Sequence, residues 1–195
     1  MYHYVRDHDA SYPNFNSLNF DTFRKQLDFF EQEYGFIRRQ DYIEAIRSCK
    51  NIDGAVLSFD DGFSDHFDYV FKELELRNLW GFFYIPTAAI RNNSRLLGVH
   101  RVHFLNGKYG PSSILKEAIE LVEDYMLQTD TIEEFDKEIY QYSDYEIDAK
   151  QLRRLFNYYL KYDHRDEVLD KLMTKYFDES KLGKKTYLTK SQIRE

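Results

Sequence analysis

The sequence predicts an α/β protein interrupted by a helical insertion. Two near-continuous apolar runs, residues 55–59 and 80–85, flank a stretch with helical spacing. Strand, helix and strand within about 30 residues make a βαβ unit, whose crossover is normally right-handed between parallel strands. Composition then changes near Pro111: seven of the eight glycines and all three prolines lie at or before it. The front, to Gly110, carries 13 Lys+Arg against 15 Asp+Glu, whereas the back carries 14 against 19 and almost no helix breakers. The front is turn-rich and the back is helical and acidic.

Each element follows in order. Residues 1–5 are short, aromatic and β-prone. Asn19 is suited to cap a helix running to about Tyr34, with Phe23, Leu27, Phe30 and Tyr34 at helical spacing and Gly35 as its stop. Phe36-Ile37 forms a short strand, and residues 41–48 a second helix with Ile43 and Ile46 facing inward. Residues 51–54 turn the chain. The run Ala55-Val56-Leu57-Ser58-Phe59 reads as a strand buried on both faces. After Gly62 a helix carries Phe67, Val70, Phe71 and Leu74 and ends near Asn78, before the second strand is stopped by Pro86. In the back, helices are expected over residues 113–128, 151–162 and 165–176. Their apolar stripes, such as Leu115-Ile119-Val122-Met126 and Val168-Leu169-Leu172-Met173, read as packed core.

Bulk properties exclude several functions. Of 195 residues 43% are hydrophobic, enough for a real core. The net charge of −7, with carboxylates spread throughout and no basic stripe, argues against nucleic acid as a partner. No apolar run approaches the roughly 20 residues of a membrane span. The first residues lack the basic and apolar regions of a signal peptide, so the expected location is cytoplasmic. Cys49 is alone, which rules out an intramolecular disulfide.

The chemistry concentrates at Ser58-Phe59-Asp60-Asp61-Gly62. Loops at the carboxyl ends of parallel strands surround the crevice where α/β folds place their sites. Two adjacent carboxylates there require a cation or a metal ion, and Gly62 permits a sharp turn. The alternative is that one of the two aspartates merely caps the following helix.

These residues resemble the first motif of the polysaccharide deacetylases with a NodB-type domain, usually Thr-Phe-Asp-Asp-Gly, with Ser58 in place of Thr. The resemblance extends over the first strand at Tyr2-His3-Tyr4-Val5, the aromatic helix from Phe23 to Phe30, and the helix and strand after the motif. It covers residues 1–103 and resumes at 186–195, leaving 104–185 as the helical insertion. The fold it implies is an incomplete, distorted (β/α) barrel. The activity it implies is metal-dependent removal of acetyl groups from a carbohydrate, with Asp60 as general base and Asp61 as metal ligand. A divalent ion, zinc by expectation, would bind the attacking water and the acetyl carbonyl. His3 projects from a neighbouring strand and either lines the pocket for substrate or is a satisfied strand histidine.

The family's second motif, His-Ser/Thr-x-x-His-Pro, is missing. His100-Arg101-Val102-His103 is the only close histidine pair, one residue short in spacing. On one helical face the two could form an alternative metal site, or they could simply open an amphipathic segment. Thr189-Lys190-Ser191-Gln192 is a capping-box pattern that should start a helix with Ile193 inward. In the family a helix like this leads to the strand with the missing histidines. The expectation is therefore a truncated fragment, weakly active or inactive, that associates with partners through an exposed barrel edge or through the insertion. A non-catalytic interaction or scaffold module built on the acidic helices is the second reading. A phosphatase is the third, disfavoured by the absent Asp-x-Asp spacing and Gly-rich phosphate loop.

Overall fold

The computed structural model describes residues 1–91, 95–128 and 146–195. It is mostly helical, with one small parallel sheet of two strands. The centre of the expected insertion, residues 129–145, and residues 92–94 lie outside the described residues. Two compact units emerge: Met1–His8, Ser17–Ser94 and Gly183–Glu195 form the first, and Asp9–Asn16 with Arg95–Leu182 form the second.

In the first unit, helix α1 (Phe20–Glu33) begins at Asn19, whose side chain accepts hydrogen bonds from the Asp21 and Thr22 amides. Such a cap is worth about 1 kcal/mol. Its stripe buries Phe23 and Leu27, while Phe30 is half-buried and Tyr34 lies exposed beyond the helix end. Helix α2 (Arg39–Ser48) corrects an expectation, because Ile43 and Ile46 are exposed. Tyr42 occupies the inward position instead, its ring 5.4 Å from Trp80 and 5.5 Å from Phe82. Large aromatic surfaces outcompete the isoleucines for this contact.

Strand β1 (Leu57–Phe59) pairs in parallel with β2 (Gly81–Phe83), in the register Leu57 to Gly81 and Phe59 to Phe83. Between them the chain passes through a π-helical turn, His66–Phe71, into helix α3 (Lys72–Leu76), completing the expected βαβ unit. Strands are shorter than the apolar runs. Residues 1–5 make only single bridges, because their partners change: Tyr2 pairs with Phe59 and Val5 with Leu18. The core gathers Val5, Phe23, Leu27, Leu57, Phe59, Val70 and Leu74. Helix α4 (Thr87–Arg91) follows β2.

The second unit packs helix Gly98–Tyr109 against Pro111–Leu121 and Tyr162–Tyr176, and Pro111–Leu121 against Ile147–Arg154. Besides Asp9–Asn16 it runs from Arg95, ahead of the change in composition near Pro111, and so takes in His100 and His103. Pro111 suits the first helical position, where its missing N–H has no intrahelical partner. The helix expected over residues 113–128 stops at Leu121. Met126 still reaches the core through a 3₁₀ turn, Asp124–Met126. There the backbone bonds to the chain around Leu160 instead of continuing a helix: the Gln128 amide donates to the Tyr159 carbonyl (2.7 Å) and Lys161 to Met126 (2.9 Å). Arg101, only 1% exposed, is held by Glu179 at 2.7 and 3.0 Å and by Asp170 at 3.0 Å. Among the described residues no helix is long and apolar enough to cross a membrane.

Candidate active site

The candidate site is built at the carboxyl end of β1. The Tyr2 amide donates to the Ser58 carbonyl (2.8 Å) and the Asp60 amide to the Tyr2 carbonyl (2.9 Å). On the other side the Tyr84 amide donates to Phe59 (2.8 Å). The strand end is thus held from both edges. Tyr2 is anchored inward by its ring, 5.0 Å from Phe23 and 5.6 Å from Phe59. Tyr4 stacks on Phe63 at 4.0 Å. Tyr2 and Tyr4 both pack inward, and His3, at a bend between them, faces outward and meets the aspartates.

The His3 Nε2 stands 3.9 Å from both Asp60 Oδ2 and Asp61 Oδ2. The aspartate side chains are about three-quarters shielded and His3 is half exposed. Asp61 adopts a left-handed backbone, φ 73°, followed by Gly62 at φ 60°. Two successive left-handed residues reverse the chain so that both carboxylates stay at the strand end. Left-handed backbone costs an ordinary residue roughly 1–2 kcal/mol, and Asp tolerates it better than most. A Cβ on Gly62 would also come within 3.1 Å of Ile85. The far side of the turn is tied down by Leu188, whose amide donates to the Gly62 carbonyl (2.8 Å), and by Ser64 Oγ donating to Lys185 (2.6 Å). Thr189 and Gln192 then form the expected capping box. Ile193 is 37% exposed, which corrects the expectation that it faces inward.

Two buried polar groups behind the site are absent from the sequence reading. Asp65 pairs with Arg6 Nε at 2.7 Å. Burial raises the Asp65 pKa, with Arg6 acting against it. His66, 1% exposed, meets the His3 carbonyl oxygen through Nε2 at 2.7 Å. Burial lowers its pKa to about 4, with the bond to the His3 carbonyl opposing. Its Nδ1 is buried with no hydrogen-bond partner among the described residues, which costs about 1–3 kcal/mol. The ring also lines an apolar groove of about 130 Å³ with Phe71, Phe83, Ile85, Leu188 and Ile193. The available signal was the spacing Phe63-His66-Phe67-Val70, a polar residue on an otherwise apolar helical face.

In chemical kind, two carboxylates and an imidazole suit a divalent cation or a proton relay. The 3.9 Å separation exceeds the about 3.4 Å between donors on a tetrahedral zinc ion. Among the described residues no group of three or more His, Cys, Asp or Glu is arranged to hold a metal. His100 and His103 sit one turn apart on helix Gly98–Tyr109, with ring centroids 6.1 Å apart and His100 buried. No family model, curated protein or solved structure matches this chain.

Proposed function

We propose that the chain is a metal-dependent hydrolase of the polysaccharide deacetylase type, acting on acetylated carbohydrate, with its βαβ unit as the first part of a distorted barrel. One observation supports this above the others: Asp60 and Asp61 share a turn at the end of a buried parallel strand, with His3 equidistant from both. Asp60 takes the proton of the attacking water, acting as general base. Asp61 is the residue that would hold a divalent ion, zinc by preference, which when bound lowers the pKa of water and polarises a carbonyl. His3 lines the substrate side of the turn. A catalytic zinc site normally has three protein ligands, and Asp61 supplies one, so acetate release by this chain is weak.

Calorimetric titration with zinc at neutral pH tests the reading. The expected result is saturable binding that weakens at least tenfold in Asp61→Asn. Binding unchanged by that substitution would overturn the assignment. Any metal-dependent acetate release from acetylated chito-oligosaccharide should disappear in Asp60→Asn.

A further inference from the structure

We propose that His66 is a positioning residue, whose Nε2–H holds the His3 carbonyl and so sets where the His3 imidazole stands opposite Asp60 and Asp61. This rests on the reading of that turn as the site. The bond spans 63 positions of sequence at 2.7 Å. A carbonyl oxygen only accepts, so Nε2 carries a proton, and burial keeps the ring neutral, which leaves a bare lone pair on Nδ1. The ring is clamped by Phe59, Phe63 and Phe83, with centroids 5.6, 5.8 and 5.9 Å away. It has little room to turn and offer the other nitrogen.

A phenylalanine here would fill similar space without leaving Nδ1 buried and unpartnered. The histidine is therefore a worse packing choice than an available alternative, and the bond to His3 is what it adds. Two further details agree. His66 opens the π-helical turn His66–Phe71, a local distortion frequent at functional sites. The neighbouring Tyr2 is pinned separately to β1 through Ser58 and Asp60. With Tyr2 and His3 both held by their backbone, the His3 side chain leaves from a fixed point.

Solution NMR tests this without metal or acetylated substrate, so failure of the deacetylase reading would show elsewhere, in the zinc titration. In the wild type, a long-range nitrogen-proton spectrum should show His66 protonated on Nε2, and His3 ring protons should show contacts to the Asp60 and Asp61 side chains. In His66→Phe those contacts should be lost. In His66→Gln, which can again donate to the carbonyl, they should return. A wild-type ring protonated on Nδ1, wild-type spectra without the contacts, contacts that survive in His66→Phe, or no rescue by His66→Gln would each overturn the proposal. Should His66→Phe fold poorly, the wild-type tautomer and the His66→Gln spectra still decide it.

Discussion

Among the described residues each unit buries a basic side chain almost completely, His66 in the first and Arg101 in the second, and these two are treated in opposite ways. Arg101 in the second unit is surrounded by carboxylates: Glu179 binds it through both oxygens and Asp170 adds a third contact. Among the described residues the His66 ring in the first unit has one hydrogen bond, to a backbone carbonyl, and a second nitrogen without a partner. An ion that is always charged has to be paired before it can be buried. An imidazole has another route, because it can give up its proton and be buried neutral. The second unit thus uses charge to join helix Gly98–Tyr109 to its neighbours. The first uses a neutral ring that keeps a single directional bond behind the candidate site.

The largest effect should come from breaking the arginine cluster. Arg101→Leu leaves Glu179 without its buried partner, while Asp170 keeps Arg95 at 2.7 Å. The expected loss is about 3 kcal/mol, at the lower end for a buried pair because the carboxylates reach solvent. Amide hydrogen exchange across Gly98–Tyr109 measures it, and unchanged protection there would show that the apolar contacts carry that helix alone.

Next comes the pH dependence of the first unit. The folded His66 pKa is about 4, against an ordinary 6.5, with burial as the main cause. Between those values the unfolded chain binds the extra proton, so stability falls as pH drops from 6.5 toward 4. The full loss is about 3 kcal/mol. Asp65, raised by burial, works in the opposite direction because its folded form takes up a proton first. Urea denaturation across this range should show the slope in wild type and a much flatter one in His66→Phe. Equal slopes would mean that the ring is not buried neutral.

The smallest effect distinguishes charge from geometry at Arg101. Glu179→Gln keeps an acceptor oxygen for the guanidinium and for the Leu96 amide, which bonds Glu179 at 3.0 Å, but removes one negative charge. With Asp170 still in place, the expected loss is about 1 kcal/mol. A loss as large as that of Arg101→Leu would show that the cluster depends on the Glu179 charge and not on the number of contacts.

Local signals in the sequence were informative wherever a single segment decided the outcome. The β1 run, the Asn19 cap, the Asp60-Asp61-Gly62 turn and the Thr189-Gln192 box are all set by residues within a few positions of one another. What the sequence hid depends on contacts between distant segments. Ile43 and Ile46 have good helical spacing, yet Trp80 and Phe82 select Tyr42. Val122 continues an apolar stripe, yet the chain around Leu160 takes over the backbone bonds and ends the helix. The sequence offered His3 either as lining the pocket or as a satisfied strand histidine, and the bond to its carbonyl comes from His66, 63 positions away.

The left-handed backbone at Asp61 (φ 73°) also filters mutation. A single nucleotide change in an aspartate codon yields Asn, Gly, His, Tyr, Ala, Val or Glu. Only Asn and Gly, and to a lesser extent His, enter that backbone region readily. The other outcomes disturb the turn and the carboxylate together, so the fold screens them out before chemistry is tested. Drift at this codon is channelled toward Asn and Gly, which preserve the turn and delete the charge. A lineage that loses the proposed activity can therefore keep its architecture, and the trace of that loss would be an asparagine or a glycine at a well-formed strand end.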